Sequence, residues 1–295
     1  MSTQKGSKNM AIYTLLTYLL CPPLIRLAGA VGVMDLPDGV RKLQKAPVAR
    51  FGGLAVFIAL LPSLASVLDN SLQICSLVLL LAFAALDDLY SLPPIIKLSA
   101  QTASAAMLVC SLDFLHGVAF FGLKSAFLGT ATAFLIGILL SVVLINGFNL
   151  IDGVDGLCVG AAAVGFLGAA ILLSSPLALA TVFALLGFLP YNLRGKMYLG
   201  EIGTSLFGYL AAFLILDAPT SNSLLRAELL LLFFLPVFEA VSSFVRRALS
   251  LKNPFRADRR HLHHLLLSLG ISKYSVNVIL MLLCAVCALA LLGFL

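Results

Sequence analysis

Long apolar runs, broken by short polar strings, make up most of this chain of 295 residues. The runs lie near 10–29, 52–68, 72–86, 95–112, 126–146, 157–173, 177–191, 203–217, 226–247 and 275–295. A helix needs about 20 apolar residues to cross a bilayer, and a spanning segment must satisfy its own backbone hydrogen bonds. The pattern therefore predicts an all-α, polytopic integral membrane protein with about ten transmembrane helices. Several runs are short, which tilting or local thinning of the bilayer accommodates. Residues 1–9 are polar, and no small-residue cleavage pattern closes the run after them, so that run reads as a retained helix. The chain reads as a single membrane domain over 1–295, without an internal repeat or a low-complexity linker. Residues 113–125, with Phe114, Val118, Phe120 and Phe121 alongside Gly117 and Gly122, suggest a short hairpin between two runs.

Composition excludes an ordinary soluble domain: mean hydropathy is +1.09, and charged residues are only 11% of the chain. The interest lies in where those charges fall. Arg41, Lys42, Lys45, Arg50, Lys97, Arg194, Lys196, Arg246, Arg247, Lys252, Arg256, Arg259, Arg260 and Lys273 occupy one set of alternate connections. The other set holds Lys5, Lys8, Lys124 and Arg226. The positive-inside rule assigns the first set to the cytoplasm and both chain ends to the outside. The six cysteines lie in or beside apolar runs and read as small buried hydrophobes, not as disulfide or metal ligands.

Only 13 acids occur in the chain, and most of them share that basic side. A carboxylate at the bilayer centre costs roughly 2.5–3.5 kcal/mol or more, so acids gathered at one face point to a site. Asp87 and Asp88 are adjacent and repel one another, a repulsion that a divalent cation with oxygen ligands relieves. Asn146, Asn149, Asp152 and Asp155 recur every third residue, a slowly drifting stripe if the segment is helical. Gly200-Glu201-Ile202-Gly203-Thr204-Ser205 offers free N–H groups at a helix start to an anion, with Glu201 beside them. The longest basic loop ends in His261, His263 and His264. Its arginines would repel a zinc ion, so these imidazoles suit phosphate or nucleobase better. Glu239 lies inside an apolar run and needs a partner, with Asn192, Arg194 or a residue of the basic loop as candidates. Helix capping, or anchoring of loops at a membrane surface, explains single members of these strings but not all five together.

Taken in order, Asp-Asp-x-x-x-Leu-Pro-Pro, Asn-x-x-Asn-Leu-x-Asp-Gly-x-Asp-Gly-Leu, Gly-Glu-x-Gly-Thr-Ser and His-Leu-His-His are specific. Over almost its full length the chain resembles the polyprenyl-phosphate N-acetylhexosamine-1-phosphate transferases. The histidine string places it nearer the branch that starts O-antigen, enterobacterial common antigen or teichoic acid linkage than phospho-N-acetylmuramoyl-pentapeptide transferase. The resemblance implies a cleft facing the cytoplasm of a bacterial inner membrane, and transfer of a sugar 1-phosphate from a UDP-N-acetylhexosamine to undecaprenyl phosphate, releasing UMP. It implies magnesium, or manganese in its place, as cofactor. It makes Asp87, Asp88, His261, His263 and His264 catalytic, and Asp88 with Glu201 the metal ligands. Substrate binding falls to Lys42, Lys97, Asn149, Asp152, Asp155, Arg259 and Arg260. Partners are the two substrates, membrane lipid and a second copy of the chain, without nucleic acid. Three positions depart from the pattern: the family usually has Asp at Glu201 and Glu239, and often His at Gln44.

The chemistry suits direct attack by the lipid phosphate. Its second pKa is near 6, so it is largely a dianion at neutral pH and barely needs a base. Bringing it against a diphosphate is the harder problem, which metal and basic side chains address. A phospho-aspartate at Asp87 is the other route. From a different class, a transporter of an anionic metabolite would place acids at the midplane, where only Glu239 stands. The Asp-Gly-x-x-Ala-Arg string of CDP-alcohol phosphotransferases is not found.

Overall fold

The computed structural model describes residues 3–37, 46–112, 130–218, 228–249 and 261–294. The hairpin expected at 113–125, and the residues Lys42, Gln44, Arg259 and Arg260, lie outside the described residues. Helix α1 (Thr3–Val31) leads into a two-stranded antiparallel ribbon, β1 (Met34–Asp35) with β2 (Val48–Ala49). Then follow α2 (Gly52–Val67), α3 (Ser71–Tyr90), α4 (Pro94–Ser111), α5 (Thr130–Ile151), α6 (Leu157–Leu172), α7 (Pro176–Leu193) and α8 (Gly200–Leu216). A 3₁₀ turn (Leu229–Phe233) runs into α9 (Phe234–Leu249), and α10 (Leu262–Ser268) and α11 (Lys273–Phe294) complete the bundle.

Every expected apolar run is helical where described, so the all-α membrane architecture stands. The count of about ten is not confirmed: among the described residues six helices are long and apolar enough to cross a membrane, while α2, α6 and α8 are apolar but shorter. Helix α4 carries Lys97, Gln101 and Ser104 on one face and is not among the spanning helices. Helices α2 and α6 bury one side and expose apolar residues on the other, Leu61 on α2 and Leu167 with Ile171 on α6. Helix α8 is buried on nearly every side, against α2, α3 and α5, as expected of a helix that is apolar all round. Phe148, Phe166, Phe207 and Phe233 meet edge to face around it, with ring centroids 5.2–6.1 Å apart.

Close backbone contact locks α8 in place. Any side chain at Gly53 would strike the backbone of Gly203, and the Gly53 amide donates to the Leu199 carbonyl at 2.8 Å. Polar pairs hold the neighbouring helices. Tyr209 Oη bonds to Ser76 Oγ at 2.8 Å and donates to the Gln73 carbonyl at 2.9 Å, and Asn146 donates to Gln101 at 2.7 Å. Such bonds between membrane helices are worth about 0.6 kcal/mol on average.

At one end of the bundle the helices outrun their apolar segments. Helix α3 continues to Tyr90 and carries Asp87 and Asp88, α5 continues to Ile151 and carries Asn149, and α8 begins at Gly200 and carries Glu201. The chemistry-bearing residues thus stand on helix ends, which hold side chains more rigidly than loops do. The Asn/Asp string is not one helix: α5 stops at Ile151, and Asp152 and Asp155 lie in a turn closed by Gly156 at φ +87°. Of the cysteines, Cys21, Cys158 and Cys284 are buried as expected, whereas Cys75 and Cys110 are exposed on the sides of α3 and α4; all six are free.

Gly53→Ala will force α2 away from α8 and cost about 1–3 kcal/mol, the range for overpacking a tight contact. Thermal unfolding in detergent should show a lowered midpoint; an unchanged midpoint would refute the close approach.

Candidate active site

The site begins with two neighbouring carboxylates that face different ways, since successive residues on a helix diverge by about 100°. Asp87 accepts from the Leu92 amide at 2.6 Å and from Lys97 Nζ at 2.8 Å. Asp88 turns to the start of α8. It accepts from the amides of Glu201 at 3.1 Å and Ile202 at 3.3 Å, and pairs with Arg50 at 2.9 Å. The free N–H groups expected to receive an external anion are therefore taken by the protein's own Asp88, a carboxylate well placed for the positive end of a helix. Gly200 makes this possible. Its φ is +69°, and a Cβ there would lie 2.7 Å from Asp88 Oδ2.

Arg50 arrives through main-chain pairing. Its amide donates to Val33, Tyr198 donates to Ala49 at 2.8 Å, and Gly52 donates to Tyr198 at 2.9 Å. The first and fourth connections are thereby joined main chain to main chain, with Ala49 and Met197 forming an isolated parallel bridge beside the β1–β2 ribbon. Asn192 joins the fourth to the third, accepting from the Gly156 amide at 2.7 Å and donating to the Met197 carbonyl at 3.2 Å.

Glu201 is held from two sides, by Lys97 at 2.8 Å and by the Asn149 amide. Lys97 thus bridges α3, α4 and α8. Asp155 pairs with Lys273 at 3.2 Å, and its carbonyl accepts from Asn277 at 2.6 Å. Asp152 differs from all of these: its carboxylate has no hydrogen bond or ion pair to a described residue. Burial, then the charges of Glu201 and Asp88, raise its pKa well above the ordinary carboxylate range, against a smaller opposing effect of Arg50.

These groups open onto a cleft of about 1090 Å³. Arg50, Asn149, Asp152, Asp155, Glu201 and His264 line it, with exposed Arg194 and Tyr274. Glu201 also borders a narrow apolar crevice between α3, α4 and α8, where Asp87 and Lys97 lie. The three histidines stand differently. His261 donates through Nδ1 to buried Glu239 at 2.9 Å, so Glu239 finds its partner in the basic loop rather than in Asn192 or Arg194. His263 is buried against Gly153, where a Cβ would lie 2.7 Å from its Nε2. Both its ring nitrogens lack a hydrogen-bond partner among the described residues. Burial, with the neighbouring imidazole of His264, pushes its pKa down to about 4. Its neutral form therefore contributes stability that is complete above about pH 6.5 and is lost as pH falls toward about 4.

The structure thus unites Asp87, Asp88, Lys97, Asn149, Asp152 and Glu201 at one end of the bundle, with Asp155 and His264 across the same cleft. Asn192, Lys273 and Tyr274 were not singled out as site residues, and Arg50 only as one of four basic residues of the first connection that could hold a phosphate or nucleotide. For Arg50 the signal was its position directly before the Gly52-Gly53 approach to α8. Lys273 and Tyr274 carried none, since the first turn of a terminal helix is ordinarily solvated. No three His, Cys, Asp or Glu side chains among the described residues form a ready ligand shell. Asp88 has its oxygens satisfied already. An unpaired Asp152 beside Glu201 still suits a hard divalent cation, because magnesium takes one or two carboxylates and completes its shell with water and phosphate oxygens.

Residues 70–218 match glycosyl transferase family 4, a stretch that holds Asp152, Asp155 and Glu201 of the cleft. The chain is 32% identical over 289 residues to the probable undecaprenyl-phosphate N-acetylglucosaminyl 1-phosphate transferase of Bacillus subtilis (strain 168), covering 91% of this chain and 79% of that protein. It is 31% identical over 268 residues to the undecaprenyl-phosphate alpha-N-acetylglucosaminyl 1-phosphate transferase of Thermotoga maritima, covering 90% and 83%. To the decaprenyl-phosphate N-acetylglucosaminephosphotransferase of Mycobacterium tuberculosis (strain ATCC 25618 / H37Rv) it is 28% identical over 311 residues, covering 90% and 76%.

Asp152 supplies a pH test. A carboxyl whose folded pKa is raised contributes stability below its unfolded pKa, about 3.9, and that stability is lost as pH rises through the folded value. The ligand-free protein should lose stability across this window, and Asp152→Asn, which cannot ionise, should lose less. The gap between wild-type and variant melting temperatures, followed upward from about pH 4, should change with pH in the variant's favour; a constant gap would contradict an unpaired carboxylate.

Proposed function

Because the chain belongs to glycosyl transferase family 4, with a relative 32% identical over 91% of its length, we propose that it transfers a sugar 1-phosphate from a UDP-N-acetylhexosamine to undecaprenyl phosphate and releases UMP. N-acetylglucosamine is the first sugar to test, since the named relatives carry it. The step begins a cell-surface glycan. The observation that carries this reading is the convergence of Asp87, Asp88, Asp152 and Glu201 with Arg50 and Lys97 beside one cleft, at the end of an apolar bundle.

In the reaction an oxygen of the acceptor phosphate forms a bond to the sugar-bearing phosphorus. The bond from that phosphorus to the bridging oxygen breaks, and UMP leaves with the electron pair. No proton need move, because the acceptor is largely a dianion at neutral pH. Arg50 and Lys97 lower the repulsion between acceptor and diphosphate. Asp87 holds Lys97 and has both oxygens engaged, which favours direct attack over a phospho-aspartate. Asp88 fixes Arg50 and the first turn of α8. Asp152 and Glu201 would hold magnesium, which when bound neutralises phosphate oxygens and polarises the phosphorus.

The basic residues Arg50, Lys97, Arg194, Lys196 and Lys273 stand around the cleft or on its connections, which supports a cytoplasmic opening in a bacterial inner membrane. Transport is not favoured: the acids lie at one end of the bundle, and Glu239, which alone suggested a midplane site, is paired with His261.

Purified protein with undecaprenyl phosphate, magnesium and a panel of UDP-N-acetylhexosamines should release UMP with at least one donor. Asp152→Asn and Glu201→Gln should lower kcat by about 100-fold or more, the scale for removing a charge-stabilising group, while folded yield is kept. Uptake of a donor into proteoliposomes without UMP would sink the proposal.

A further inference from the structure

Only one of the three histidines reaches the cleft. His264 lines it together with Asp152 and Gly153. His261 and His263 lie behind, 5% and 1% exposed. His261 stacks parallel to His263, with 9° between planes and 5.7 Å between centroids, and His263 lies 4.2 Å from His264. The far end of this row is fastened by Glu239, itself 1% exposed on α9. One of its oxygens accepts a hydrogen bond from His261 Nδ1 at 2.9 Å, and the other accepts from the Leu262 amide at 2.6 Å. His261 in turn starts α10, its carbonyl accepting from the Leu265 amide at 3.0 Å.

We propose that Glu239 is a positioning residue: by gripping the His261 imidazole and the Leu262 amide it fixes the first turn of α10 and so aims His264 at the donor's phosphates. The aim of His264 rests on the transferase reading; the grip of Glu239 does not. A carboxylate suits this task because both partners are donors. It can accept from each without reorienting, and it holds the neutral imidazole as the Nδ1–H tautomer. A glutamine of the same length cannot do both. One of its two ends is a donor, so it either faces the Leu262 amide with an N–H or moves the ring proton to Nε2.

Glu239→Gln should therefore lower kcat by about 10–100-fold, the usual cost of losing a carboxylate that orients a histidine. The KM for the lipid acceptor and the melting temperature should stay near wild type. In a His264→Ala background the same change should cost nothing further, a silence that general loosening of the fold would not produce. Full turnover by Glu239→Gln, or a loss that adds to that of His264→Ala, overturns the proposal. If Glu239→Gln does not fold, the cycle of His261→Asn with His264→Ala asks the same question with the same two answers. Imidazole ¹⁵N NMR reads the grip without any substrate: wild-type His261 should be the Nδ1–H tautomer, and the Nε2–H tautomer overturns the proposal. Wild-type protein that releases no UMP yet shows the Nδ1–H tautomer would refute the transferase reading while leaving the grip intact.

Discussion

The positive end of a buried helix must be neutralised, and in this protein Asp88 does it. Helix α8 lies at the centre of the bundle with its first amides turned away from water. Unsatisfied N–H groups there would carry a heavy penalty in a membrane setting. One carboxylate from α3 accepts from two of them and binds the Arg50 guanidinium as well. That contact joins α3, α8 and the first connection at one point. Gly200 and the Gly53–Gly203 contact exist to let the pieces come that close. With α8 pinned, Glu201 stands at the edge of the cleft and reaches Lys97 and Asn149.

Around that pin the charges are arranged as a graded balance. Asp87, Asp88 and Asp155 each have a cationic partner, and Glu201 shares Lys97 with Asp87. Asp152 is the carboxylate left over, and its neighbours make ionisation costly. An unpaired acid beside partly exposed cations is the charge arrangement on which the proposed reaction, with a nucleoside diphosphate-sugar and a divalent metal, draws. Two glutamates tie separate elements together: Glu201 spans from Lys97 to Asn149, and Glu239 spans from α9 to the start of α10.

Much of this could be read along the chain. Apolar runs located the helices, because a segment surrounded by lipid or by other helices must be apolar over most of its length. Polar breaks located the site, because acids are too costly to be placed idly beside a bilayer. Asp87, Asp88, Asn149, Asp152 and Glu201 were all visible on that ground, and they do converge. Helix ends were misjudged for the same reason. The apolar run stops where polar function starts, whereas the helix continues for another turn under hydrogen bonds that composition does not reveal.

What the sequence determined by itself was the set of groups: membrane helices, acids and bases on one side, and histidines at the last connection. Tertiary structure alone decided where each of them ends up. Asp88 is consumed by α8, His261 by Glu239 and Asp155 by Lys273, while Asp152 and His264 line the cleft. The reason is that the partner in each of these pairs lies 22 to 118 positions away along the chain. Pairing at 3 Å is settled by how helices pack in space, and adjacency in sequence carries no record of it.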